Sequence, residues 1–174
     1  FDDAERFAFF SRAVLEVLPY INFTPDIIHC NDWQTALVPV YLDAFYKKNE
    51  FYQDMKTVFT IHNIQYQGKY GYDLYEDVVG LPMERLGIVQ YENCINFMKG
   101  AIQCSNKVTT VSRTYAQEIQ TPYFSHGLHD VLRHHNYKLS GVVNGIDTEV
   151  YNPETDPNIY ENYNLSSIDK KADN

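Results

Sequence analysis

Apolar residues open the chain at helical spacing: Ala4, Phe7, Ala8, Leu15 and Leu18 fall on one broad stripe, which predicts a buried amphipathic helix over 4–18. Pro19 and Pro25 bound the loop after it. The pattern then shortens. Asp26 to Cys30 reads as a strand, Trp33 to Phe45 as a helix, and the β-branched and aromatic run Lys56 to Ile61 as a central strand. A glycine- and tyrosine-rich loop follows over 62–72, then two short helical stretches split by Gly80-Leu81-Pro82, then a helix over 95–105. Lys107 to Ser112 is a further strand, and 114–119 and 127–135 are helical. Leu139 to Val143 is a strand ending on the turn Asn144-Gly145-Ile146-Asp147. Short apolar strands alternating with helices predict an α/β fold with a parallel, doubly wound sheet. The polar stretch 164–174 reads as a linker leaving the domain of 1–163.

Each strand is followed at once by polar residues: 29–32, His62 and Asn63, Ser112, then Asn144 and Asp147. Ligands of open α/β sheets bind outside the carboxyl ends of the strands, so these side chains should share one rim.

Composition narrows the function. Among 174 residues, 14 are Lys or Arg and 23 are Asp or Glu, a formal net charge of −9. That lacks the basic footprint of a nucleic-acid binder, and no apolar run is long enough to span a bilayer. The three cysteines, Cys30, Cys94 and Cys104, have no CxxC spacing and read as reduced thiols of a cytoplasmic protein. In that compartment the sequons at Asn22 and Asn164 go unused. The first residues carry neither a starting Met nor a signal sequence, which is expected of a fragment.

Several chemical devices are absent or weak. No GxGxxG, GxxxxGK[ST], GxSxG or HExxH occurs. His126, His129, His134 and His135 cluster in sequence but have no matching carboxylate or thiolate, so they read as solvated histidines and no metal is expected. The E-x7-E spacing of Glu76 with Glu84 overlaps that of Glu84 with Glu92, and Pro82 breaks the first pair, so both are chance.

The strand-end residues are different in kind. Asp32 can cap the helix starting at Trp33, or it can face a ligand. His62 can be a satisfied core histidine, or part of a site. Amides, a carboxylate and an imidazole together suit a sugar, whose hydroxyls need paired donors and acceptors, and Tyr66, Tyr70 and Tyr72 can offer flat apolar faces to its ring.

The stretches HCNDWQTALVPVYL, TVFTIHNIQYQGKY, NFMKGAIQCSNKVTTVSRTYAQEI, TPYFSHGLHDVLR and LSGVVNGIDTEVYNPETD occur in that order. Together they closely resemble the bacterial glycogen synthase and plant starch synthase family of ADP-glucose-dependent, retaining glucosyltransferases. The resemblance implies a GT-B architecture of two Rossmann-like domains, with this chain as part of the N-terminal, acceptor-side domain. The family's Lys-Thr-Gly-Gly-Leu loop and its C-terminal nucleotide-binding domain would then lie outside it. It also implies that Asp32 and His62 are catalytic, and that Asn63, Tyr66, Gln67 and Asn144 bind substrate. Arg113 and Tyr151 depart from the family's usual proline and tryptophan, away from those positions. The expected partners are ADP-glucose, an α-1,4-glucan acceptor and the second domain. The leaving diphosphate would stay on the attacked face, so no protein nucleophile is needed, and neither cofactor nor metal is expected. The fragment alone should be inactive and prone to self-association through uncovered apolar surface. A UDP-glucose-using GT-B transferase and a non-catalytic glucan-binding domain are the alternative readings.

Overall fold

The run Lys56–Ile61 is flanked on both sides in a four-stranded sheet, as its composition leads one to expect. The computed structural model describes residues 2–174, which fall into two units, the first ending at Val143 and the second spanning Asn144–Asn174.

The first unit opens with helix α1 (Asp3–Tyr20), two residues past the expected end. Strand β1 (Ile27–Asn31) follows, then a 3-10 turn (Trp33–Thr35), helix α2 (Leu37–Tyr41) and a π-helical turn (Leu42–Tyr46) closed by Lys47 N–H on the Leu42 carbonyl. Strands β2 (Lys56–Ile61), β6 (Lys107–Thr110) and β7 (Leu139–Gly141) complete a parallel sheet of order β1-β2-β6-β7. Between β2 and β6 lie β3 (Lys69–Tyr70), helix α3 (Leu86–Val89), β4 (Gln90–Tyr91), β5 (Cys94–Asn96) and helix α4 (Phe97–Cys104). Helices α5 (Arg113–Glu118) and α6 (His129–His134) join β6 to β7.

The strand order in space copies the order along the chain. Parallel crossovers are right-handed, so a sheet that always advances in one direction receives every crossover helix on the same face. Burial follows. Cys30, Phe59, Ile61 and Val108 are buried against Leu37, Phe97 and Ile102, whereas Ile27, His29, Asn31, Lys107 and Ser140 on the other face are exposed, Ile27 by 57%. The chain therefore supplies one winding of the expected doubly wound sheet. On the open face a polar line crosses three strands: His29 Nε2 lies 2.7 Å from Thr60 Oγ1, which lies 2.6 Å from Thr109 Oγ1.

The expected helix over 95–105 starts instead at Phe97. Residues 94–96 form β5, the middle strand of a small antiparallel sheet of order β3-β5-β4. Asn96 then caps α4, its Oδ1 accepting from Lys99 N–H at 3.0 Å. At the other end of α4, the buried Lys138 ammonium donates to the carbonyls of Gln103 and Ser105 at 2.9 and 2.7 Å, closing off the helix C-terminus.

Interior thiols and phenols give the fold an alkaline weakness. Burial pushes Cys30 and Cys104 up to about 12 and raises Tyr41, Tyr46, Tyr52, Tyr70, Tyr75 and Tyr91. A group whose folded pKa is raised lends stability that is complete below its unfolded pKa, and that stability is lost as pH climbs toward the folded value. Burial lowers Lys47, Lys99 and Lys138, which act in the opposite sense but are fewer. Stability measured by urea titration should hold up to about pH 8 and fall steadily from about pH 9 to 11; a flat profile across that window would contradict the burial of these groups.

The second unit holds no strand. It is built from side-chain-closed turns: Asp147 Oδ1 accepts from the Glu149 and Val150 N–H groups, both at 3.0 Å. Within the stretch expected to be a linker, Leu165–Asp173 forms two short 3-10 turns separated by a kink at Ser167, the first started by a reciprocal cap between Asn164 and Ser167. Leu165 and Tyr160 are 95% and 91% exposed, so polar turns hold this unit, not an apolar core.

Candidate functional site

The register of β1 on β2 sets Asn31 opposite Thr60, and Asp32 N–H extends the ladder to the Thr60 carbonyl at 2.9 Å. The backbone then turns sharply: Asp32 has φ 56°, in the left-handed region that non-glycine residues rarely occupy. Its carboxylate does not cap the 3-10 turn that follows. It reaches across to the tip of β2, where Oδ1 accepts from the backbone N–H of His62 at 2.8 Å and of Asn63 at 3.3 Å. These are charge-assisted bonds to peptide donors, the strong kind. The corner itself is secured by Thr35, whose hydroxyl accepts from Asn31 N–H at 2.6 Å and donates to the Asn31 carbonyl at 2.9 Å.

His62 is exposed, with its ring Nε2 3.0 Å from Asn31 Oδ1. The next residues shape a loop above the small sheet. Asn63 Oδ1 accepts from Gln65 N–H at 3.0 Å, so this amide closes a turn. Ile64 is buried beneath it. Gln67 is only 3% exposed, and its amide is spent: Nε2 donates to the carbonyls of Ile64 and His126 at 2.9 and 3.1 Å, while Oε1 accepts from Asn96 Nδ2 at 2.7 Å. Gln67 thus shapes the loop from below and has no free N–H to offer a ligand. Gly68 follows with φ +65°, packed so tightly that a Cβ there would sit 2.8 Å from the Trp33 ring.

Of the three tyrosines, Tyr66 is exposed beside a shallow hollow of about 280 Å³ bounded by Trp33, Gln65, Lys69 and Tyr70. Tyr70 spends its ring on packing, 5.1 Å from Phe97 and 6.2 Å from Trp33 between centroids. Tyr72 is partly exposed and donates to the Glu92 carbonyl at 3.2 Å. Ser112, at the end of β6, caps α5 through Tyr115 N–H at 2.8 Å. Asn144 is an exposed residue of the second unit.

The structure therefore gathers Asp32, His62 and Asn63 at the tips of two neighbouring parallel strands, with Tyr66 further along the same loop. It adds Asn31, whose place at the end of β1 was visible in the sequence but whose bond to His62 was not. The arrangement is an open wall, and a larger hollow of about 580 Å³ lies elsewhere, between α1 and the turn Tyr75–Val79. Burial holds the Cys30 and Cys104 thiols protonated, so neither is a ready nucleophile. Among the described residues no group of three or more His, Cys, Asp and Glu side chains is placed to hold a metal, and no helix is long and apolar enough to cross a membrane.

Residues 1–134 match the family described as the starch synthase catalytic domain. The chain is 51% identical over 172 residues to a glycogen synthase of Desulforamulus reducens, covering 98% of this chain and 36% of that protein. It is 49% identical over 175 residues to a glycogen synthase of Alkaliphilus metalliredigens, covering 99% of this chain and 37% of that one. Among solved structures, the catalytic domain of starch synthase IV from Arabidopsis thaliana, bound to ADP and acarbose, superposes with a TM-score of 0.80 at 40% identity over 99% of this chain and 36% of that one. The chain thus spans about a third of the length of the relatives it matches. With 134 of its 174 residues matched to that family, in the fold and strand order just described, the chain belongs to the starch synthase catalytic domain family of GT-B glycosyltransferases.

Proposed function

We propose that this chain forms part of the wall that grips a glucosyl unit in a glycogen (starch) synthase. In the whole protein, that enzyme transfers glucose from ADP-glucose to the non-reducing end of an α-1,4-glucan with retention. The observation that carries this reading is His62, held at its backbone by Asp32 and at its ring by Asn31 on the strand-end rim of a chain of this family. His62 would meet a hydroxyl of the reacting glucose, and Asp32, with its second carboxylate oxygen, would face the same sugar. Asn63 and Tyr66 shape the pocket around them.

Retention needs no protein nucleophile here: the leaving diphosphate stays on the face that the acceptor attacks, and the protein positions the partners and steadies developing charge. Cationic groups for the diphosphate would come from the nucleotide-binding domain, outside this chain, and no metal or organic cofactor takes part. By itself the chain would be inactive and would self-associate through uncovered apolar surface. Three unpaired thiols favour a cytoplasmic setting.

The test is glucan elongation by the full-length protein with ADP-glucose or UDP-glucose as donor. ADP-glucose should be preferred by at least about tenfold in kcat/KM, with an α-linked product. Preference for UDP-glucose would overturn the donor assignment. Glucan binding with no transfer from either donor would mean a binding module in place of an enzyme.

A further inference from the structure

We infer that Asn31 is a positioning residue that fixes the tautomer of His62, so that the ring accepts, and does not donate, a hydrogen bond at the bound glucosyl unit. This rests on the reading that His62 faces that unit. Asn31 Oδ1 lies 3.0 Å from His62 Nε2. A neutral imidazole has one N–H and one bare nitrogen. Opposite a carbonyl oxygen, the proton must sit on Nε2, which leaves Nδ1 as the acceptor. Among the described residues Nδ1 has no hydrogen-bond partner, and the ring is exposed.

Asn31 is well placed to hold this arrangement. Its backbone is paired on the strand opposite Thr60, and both its N–H and its carbonyl are tied to the single hydroxyl of Thr35 at 2.6 and 2.9 Å. The neighbouring Asp32 anchors the His62 backbone at 2.8 Å. Two consecutive residues of one strand end thus grip the histidine at both ends, and the ring cannot swing without breaking one of the contacts.

The consequence is a rule for the substrate: the sugar hydroxyl at His62 must supply the proton. Fluorine in place of that hydroxyl accepts but cannot donate, so the fluoro donor should lose as much as the deoxy donor. Were the ring the donor, fluorine would recover part of the loss.

The test uses full-length protein labelled with 15N-histidine, with the His62 signals assigned by their loss in His62→Gln. Two-bond proton–nitrogen spectra, recorded where the ring is neutral, should give the Nε2–H pattern. Asn31→Leu, similar in size but without the acceptor, should shift it toward a tautomer mixture, and Asn31→Asp should restore it. Asn31→Leu should also lower kcat by about tenfold with a smaller change in KM, and add little to the loss in His62→Gln. An Nδ1–H pattern in the unaltered protein would mean that the Asn31 amide is reversed and donates, and would overturn the inference. So would an unchanged spectrum in Asn31→Leu, or unchanged turnover in that variant while His62→Gln is impaired. If His62→Gln itself turns over at the full rate, the glucosyl-site reading has failed, whatever the spectra give.

Discussion

His62→Ala should lower glucan elongation by the full-length protein by about 10²- to 10³-fold in kcat while leaving the fold in place. The ring is exposed and makes one side-chain bond, to Asn31, so its loss should cost about 1 kcal/mol of stability or less. The bonds that shape the loop are made by the His62 and Asn63 peptides to Asp32, and alanine keeps both peptides. A large loss of turnover with a near-constant melting temperature is therefore the signature of a ring that touches substrate. Equal rates for the two proteins would remove His62 from the site.

Gly141→Ala should be the most damaging small substitution to stability. An added Cβ would lie 2.1 Å from the Ser112 carbonyl oxygen, 2.3 Å from its carbon and 2.5 Å from Arg113 N, all backbone atoms at the start of α5. Rotation of a side chain cannot relieve such a contact, so either β7 leaves Thr110 or the Ser112 cap opens. A loss of about 3 kcal/mol follows, or roughly 6–12 °C in melting temperature for a chain of this size. Gly87→Ala, where an added Cβ meets nothing within 4 Å, is the matched control and should melt close to the parent. If the two variants melt together, the close approach of β7 to Ser112 is wrong.

Some of this was legible in the residues and some was not. The strand Lys56–Ile61 declares itself because five consecutive residues from Thr57 are β-branched or aromatic, and the polar residues after it lie on a rim because chain direction and strand end are linked. Strands β3, β4 and β5 are two or three residues long, too short for any alternation to register, and tertiary pairing with the loop decides their state. Residues 94–96 therefore merged with the helix behind them. Asp32 before a turn fits a cap as well as it fits a site, and only the positive φ and the reach to His62 separate the two. Gln67 illustrates the opposite limit. Sequence puts it in the sugar-facing loop, but an amide is equally useful under a loop as on it, and burial is set by Asn96, almost thirty residues away.

The matching of strand sequence to strand position has one more outcome. No strand of the main sheet has to slip between two that are already joined, since each addition takes the free margin left by the one before. A polypeptide leaving the ribosome could lay down β1 and β2, then β6, then β7, each step local in the growing product and none waiting for a later residue.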